Sequence, residues 1–180
     1  ANAINGAAHR LIASGTNDVV TLKDFARARF ALQKANVPLT NLIAIVDPSV
    51  EFTLSTLSTL TDVSGNAKWE GIITSGISTG MRFIRNVYGF DVYVSNYLKD
   101  GIAETISGNT VADGVANLFF SATPGLTPFI GAMRQAPKVD SEYNKDLQRD
   151  EYVTTCRYGL AMYRPENFVT IISDKVSAIA

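Results

Sequence analysis

Residues 22–48 read LKDFARARFALQKANVPLTNLIAIVDP, and this stretch decides the fold class. Leu22, Phe25, Ala28, Leu32 and Ala35 recur at helical spacing, while Lys23, Arg27 and Lys34 can face water. Thr21 precedes the pattern with Asp24 three residues on, a capping box in which Asp stands in for Glu. Asn36 and Pro38 end the helix, because proline disfavours helical geometry at the residue before it. Leu42 to Val46 is then a short β-branched apolar run bounded by turn residues, which predicts a buried strand. Asp47-Pro48 supplies an N-cap and a proline at the first helical position, and Val50, Leu54 and Leu57 give a second helix its apolar stripe. Helix, buried strand, helix is the start of a mixed unit with both helices and sheet.

On the N-terminal side, Gly6 and Gly15 bracket a short run that reads as an extended segment. On the C-terminal side, residues 55–80 are rich in Ser, Thr and Gly and read as loop with short strands. Phe90, Val92 and Val94 alternate with Asp91, Tyr93 and Ser95, the period-two signature of a half-exposed strand, and Gly89 marks a bulge or tight turn before it. Residues 99–117 are polar and glycine-containing and read as loop or weak structure. Leu118 to Ala122 is a short apolar run, and Pro124 and Pro128 flank a turn before Phe129 to Met133. Asp140 to Asp150 is charged, with helical character at best. Tyr152 to Tyr163 is strand-like, Arg164 to Asn167 a turn, and Phe168 to Ile172 a final strand. The class is α/β or α+β.

Composition narrows the function. With 180 residues, 46% hydrophobic and a net charge of -1, the chain can bury a sizeable core and is not intrinsically disordered. A nearly neutral balance gives no global attraction to nucleic acid or to an anionic membrane, and the longest aliphatic run is far too short to cross a bilayer. The lone Cys156 excludes an internal disulfide framework, so a soluble, reducing compartment is the default. The chain opens on Ala1, the expectation for a processed product or an internal piece.

Catalytic chemistry is sparse. One cysteine and one histidine allow a Cys156–His9 nucleophilic pair in principle, but Cys156 lies in a strand pattern where it reads as a small packed residue. His9 reads as a surface or hydrogen-bonded side chain, and no Cys/His zinc site can be built. Gly71, Gly76 and Gly80 are followed by Met81-Arg82 and so lack the Lys-Ser/Thr of a phosphate-binding loop. Arg82 and Arg85 beside Tyr88 are a thin footprint for a phosphate backbone. The mixed-sign residues Lys138, Asp140, Lys145, Asp146, Arg149 and Asp150 read as a solvated face or as an interface with an equally mixed partner. No catalytic, cofactor or metal residue is assigned.

Three stretches in order carry a resemblance. Leu22 to Pro48 is similar to a helix, an A-N-V-P turn and a buried strand ending in Asp-Pro. Asn86 to Asn96 is close to a G-F-x-V-x-x-S-N strand. Arg157-Tyr158-Gly159 with Tyr163-Arg164-Pro165-Glu166 is similar to closing Y-G … R-P-E strands. Together they resemble the major capsid proteins of tailed double-stranded DNA bacteriophages, those of the Hong Kong 97-type fold. The resemblance implies a partial α+β fold of that type, with the arm, extended loop and spine helix not seen. It places a peripheral-domain lead-in at residues 1–20, an axial domain at 21–133, and a return to peripheral-domain strands at 134–180. It implies a structural, non-enzymatic subunit that self-assembles into the pentamers and hexamers of an icosahedral shell. Its partners are then copies of itself, scaffolding and portal proteins, and packaged double-stranded DNA held without sequence-specific binding, with no membrane and no cofactor. The location implied is the virion, assembled in the host bacterial cytoplasm, with the six charged residues of the 138–151 segment as intersubunit contacts. The competing readings are a small soluble enzyme with a cleft thiol or carboxylate, and another phage component such as a tail or decoration protein.

Overall fold

The computed structural model describes residues 3–4, 7–56 and 82–175. In chain order the elements are β1 (Ala3–Ile4), β2 (Ala7–Ala8), β3 (Arg10–Ile12), α1 (Leu22–Lys34), β4 (Leu42–Val46) and α2 (Pro48–Thr56). They continue as β5 (Arg82–Val87), β6 (Phe90–Val94), β7 (Ile102–Ile106), β8 (Asn109–Ser121), β9 (Phe129–Asn144), β10 (Arg149–Met162) and β11 (Phe168–Asp174). Among the described residues β1 and β2 pair only with each other, as do β9 and β10; the remaining strands form one seven-stranded mixed sheet.

The helix read from the 22–34 spacing is present, and its N-terminus is more heavily bonded than a surface cap. Asp24 is fully buried. Its carboxylate accepts the Thr21 backbone N–H at 2.9 Å, the Thr21 hydroxyl at 3.0 Å and the Ser14 N–H at 3.0 Å. Arg27 donates to the same carboxylate at 2.8 Å and to the Ile12 carbonyl at 3.0 Å. A buried charge is tolerable only with partners of this kind. One acid therefore ties the end of β3, the connecting loop and the first turn of α1 together. At the other end Asn36 adopts a left-handed φ of 58°, and Val37 N–H reaches the Leu32 carbonyl at 3.0 Å, closing a Schellman motif with Asn in glycine's usual place.

The sheet runs β3-β11-β8-β4-β6-β5. β3 lies parallel to β11 and β4 parallel to β6; the other neighbours are antiparallel. β8 is the long central strand. Gly114 pairs with Ile102 of β7 on one side and Asp174 of β11 on the other, so β7 and β4 share one edge of β8 end to end. Leu42, Ala44, Val46, Phe90, Val92, Phe119, Val169 and Ile171 point to one face, where α1 brings Phe25, Ala28 and Leu32, and α2 brings Val50 and Leu54. Phe25, Phe90 and Phe119 meet edge to face, with centroids 5.2–6.4 Å apart. Asn117, fully buried in the same layer, donates to the Ile171 carbonyl at 3.1 Å and to Ser173 Oγ at 2.8 Å, and accepts the Asp47 N–H at 2.9 Å. Asp47 in turn accepts the Ser49 N–H at 2.9 Å, the N-cap expected of the Asp-Pro pair.

Two segments depart from the sequence reading. Residues 99–117 are not loop: they hold β7 and most of β8, joined by a two-residue turn at Ser107 (φ 54°) and Gly108 (φ 86°). Both central residues are left-handed, the geometry of a tight hairpin turn, and the expected Tyr88-Gly89 turn has the same form. Residues 140–150 are not helical: they form the end of β9, a four-residue turn and the start of β10. The sheet also ignores the boundaries at residues 20 and 133, since β3 and β11 belong to it with β4, β6 and β8, and residue 133 lies inside β9. The expectations for Leu57, for most of the 55–80 loop and for Gly71, Gly76 and Gly80 fall outside the described residues.

Candidate interaction surface

β9 and β10 form a hairpin of 16- and 14-residue strands that, among the described residues, pair with nothing but each other. Paired residues share a face, and the extra residues at the two register shifts lie in β9, so β10 alternates regularly along its length. Its even-numbered residues Tyr152, Cys156, Tyr158, Leu160 and Met162 therefore lie on one face with Phe129, Met133, Val139 and Tyr143 of β9. The opposite face carries Lys138, Asp140, Glu142 and Asn144 with Arg149, Glu151, Thr155 and Arg157, and only Ile130 and Val153 of the exposed large apolar side chains. The hairpin is amphipathic, yet its apolar face is bare: Leu160 is 80% exposed, Tyr152 70%, Tyr158 69% and Met133 64%. A patch of large apolar side chains of this extent marks an interaction site.

The patch continues into the seven-stranded sheet. Phe129 packs edge to face on Phe120 and Phe168, at 5.8 and 5.2 Å between centroids. Those two are register partners on the sheet face turned away from α1, which also carries Ile43, Ile45 and Leu118 half-buried.

All six charged residues named from sequence lie on the hairpin and are exposed. Lys138 and Asp140 are on β9 and form an ion pair at 2.7 Å. Lys145 and Asp146 are in the turn, where Asn144 Oδ1 accepts the Asp146 and Leu147 N–H groups at 3.1 and 3.2 Å. Arg149 and Asp150 open β10, and Arg149 pairs with Glu151 at 2.9 Å. The helical reading of residues 140–150 missed only the tip of the hairpin; the run from Tyr152 onward is the strand the sequence suggested. In a strand, every second residue from Tyr152 to Met162 falls on one side.

The residues weighed for catalysis sit apart in kind. Cys156 is exposed on the hairpin, not packed as expected, because its strand borders no core. His9 is buried, and its Nδ1 lies 2.9 Å from the Pro165 carbonyl oxygen. Arg82 and Arg85 are in β5. Among the described residues no group of three or more His, Cys, Asp or Glu side chains is placed to hold a metal, and no helix is long and apolar enough to cross a membrane. Asp100 is held below the usual carboxylate range by its hydrogen bond and ion pair with Lys175 at 2.8 Å, a surface clamp between the β7 entrance and the end of β11.

A family model described as phage capsid protein matches residues 1–171, and the chain belongs to that family. Solved structures agree on the fold. A chain from Mycobacterium phage Che8 superposes with a TM-score of 0.61 at 22% identity, over 90% of this chain and 52% of that one. The capsid structure of the cyanophage P-SCSP1u gives 0.59 at 18% identity, over 92% and 53%. The asymmetric unit of the bacteriophage PhiM1 mature capsid gives 0.59 at 14%, over 93% and 52%. The chain thus spans about half the length of each. No curated protein matches the sequence. The α+β, Hong Kong 97-type architecture implied by the three sequence stretches is the one observed.

Proposed function

We propose that this chain is part of a capsid shell subunit that assembles with copies of itself into pentamers and hexamers enclosing double-stranded DNA. The observation that carries the reading is the bare apolar face of the β9–β10 hairpin within a phage capsid family fold. An isolated two-stranded ribbon is marginal in water, and one built with an apolar face is built to be covered. In this reading the seven-stranded sheet with α1 and α2 is the axial domain, and the hairpin is the peripheral-domain contribution. Scaffolding and portal proteins are the expected assembly partners, the DNA contact is unspecific, and the protein resides in the virion after assembly in the host cytoplasm.

Sedimentation velocity on the native source material, with electron microscopy of the fastest fraction, tests it. Megadalton icosahedral particles containing this chain are expected. A small discrete oligomer that never forms shells, even in the context of its complete gene product, would sink the reading.

A further inference from the structure

We propose that the Asp100–Gly101 peptide is a modification site, which converts spontaneously to an isoaspartyl linkage through a cyclic imide, and that Lys175 is the residue that restrains it. The chemistry is independent of the capsid-subunit reading.

Aspartate followed by glycine is prone to this reaction, because glycine has no Cβ to hinder the approach of its nitrogen to the preceding carboxyl. The sequence holds two such pairs, Asp100–Gly101 and Asp113–Gly114. The fold puts them in opposite surroundings. Gly114 is buried in β8, paired with Ile102 of β7 on one side and Asp174 of β11 on the other, and a Cβ there would collide with Ile172. Bringing the Gly114 nitrogen onto Asp113 Cγ would turn that peptide out of its ladders. Asp100 and Gly101 are exposed and belong to no strand or helix. Gly101 has a φ of 64°, with open space where a Cβ would stand. The chain on either side is anchored: the Lys99 carbonyl accepts the Ala116 N–H at 3.0 Å, and β7 begins at Ile102. The Asp100–Gly101 peptide can turn where its neighbours cannot.

In the reaction the Gly101 nitrogen attacks Cγ of the protonated Asp100 carboxyl. An N–Cγ bond forms, the Cγ–OH bond breaks, and the amide proton leaves with the hydroxyl as water. Water then opens the imide. Cleavage at Cγ returns aspartate. Cleavage at the α-carbonyl leaves the backbone running through Cγ, longer by one carbon, with the carboxylate on Cα and no net change of mass. Lys175 opposes the first step. Its Nζ lies 2.8 Å from Asp100 Oδ2, and this hydrogen bond and charge hold the carboxyl below its usual range, in the ionised form that has no hydroxyl to lose. Asp113 and Asp47 are the other carboxylates acting on Lys175, and both favour its cationic form. Conversion breaks the clamp in turn, because it moves the carboxylate off its side chain and away from the Lys175 ammonium.

The test follows the full chain through warm incubation in mildly acidic buffer, with isoaspartate at each pair read by electron-transfer fragmentation of its peptides. Isoaspartate should accumulate at residue 100 and stay at background at residue 113. In urea, where the ladders are gone, the two pairs should react alike. Lys175→Met should raise the rate at residue 100 several-fold and leave residue 113 unchanged, and Lys175→Arg should restore the parent rate. The acceleration on lowering the pH should begin at a higher pH in Lys175→Met than in the parent. Lys175 is exposed, so thermal melts of both variants should match the parent. Asn5–Gly6 lies outside the described residues and reports separately, because an asparagine reacting this way releases ammonia and changes the mass. Equal rates at the two aspartates in the folded chain, or no product at residue 100 under conditions where the urea-unfolded chain reacts, would overturn the site. An unchanged rate and pH profile in Lys175→Met would overturn the restraint.

Discussion

The seven-stranded sheet and the β9–β10 hairpin obey the same strand periodicity and end in opposite states. In β8, Val115, Asn117, Phe119 and Ser121 alternate regularly on one face and are buried, Phe119 against the residues of α1 and of the neighbouring strands. In β10, Tyr152, Tyr158, Leu160 and Met162 alternate just as regularly and are bare. The difference lies in what stands opposite: α1 and α2 cover one face of the sheet, and nothing among the described residues covers the hairpin. The same chemistry therefore serves stability in one region and association in the other.

The sharpest way to break this comparison is to truncate one aromatic from each region. Phe119→Ala should cost the fold about 3–5 kcal/mol, because it empties the middle of the Phe25–Phe90–Phe119 cluster. Tyr158→Ala should leave unfolding of the unassembled chain within about 0.5 kcal/mol of the parent while weakening assembly. Urea unfolding at low protein concentration, beside sedimentation at high concentration, measures both. Equal stability losses from the two changes would show that the hairpin is part of the core after all.

The next largest effect concerns Asp24. Asp24→Ala removes the acceptor shared by Ser14, Thr21 and Arg27 and strands buried donors, a loss of about 2–3 kcal/mol in the same unfolding measurement. Gly114→Ala should cost about 1–3 kcal/mol. A Cβ there would meet Ile172 Cγ2 and come within 2.8 Å of Val111 Cγ1, at the residue where β8 pairs with both Ile102 of β7 and Asp174 of β11. A neutral Gly114→Ala result would mean that the second apolar cluster, Ile12, Ile106, Val111 and Ile172, is looser than its burial indicates.

The smallest effect sharpens the edge of the core. The Asp18 carboxyl is pushed up by burial and by the neighbouring Asp174 charge. A raised carboxyl favours the protonated form in the folded state, so this group opposes folding at neutral pH and ceases to do so as pH falls through the carboxylate range. Asp18→Asn keeps a residue suited to the left-handed φ of 55° and should raise the melting temperature slightly at pH 7, with the gain fading as the medium is acidified. A gain that persists at low pH would point to a backbone cause.

Much of the sheet was legible because its signals are local. The spacing of Leu22, Phe25, Ala28 and Leu32, the Asp47-Pro48 cap and the Phe90–Val94 alternation each lie within a dozen residues or so, and each family stretch is one continuous run of 10 to 27 residues. Ser107-Gly108 was legible in principle, as a two-residue turn between Ile102–Ile106 and the β8 run, but polar residues at both flanks mask the alternation. The hairpin was misread at its tip because Asp140 to Asp150 holds a turn between two strands, and averaging across a turn erases both periods.

The sequence by itself determined the helices, most strand positions, the family resemblance and the six charges that all prove to lie on one hairpin. Only the tertiary structure decided that Asp24 is a buried hub rather than a weak cap and that Asn117 bridges β8, β11 and the start of α2. It alone showed Cys156 exposed and the apolar face of β10 bare. The physical reason is that propensity and periodicity say which side of an element is apolar. Burial depends on what the rest of the chain, or another copy of it, brings to that side.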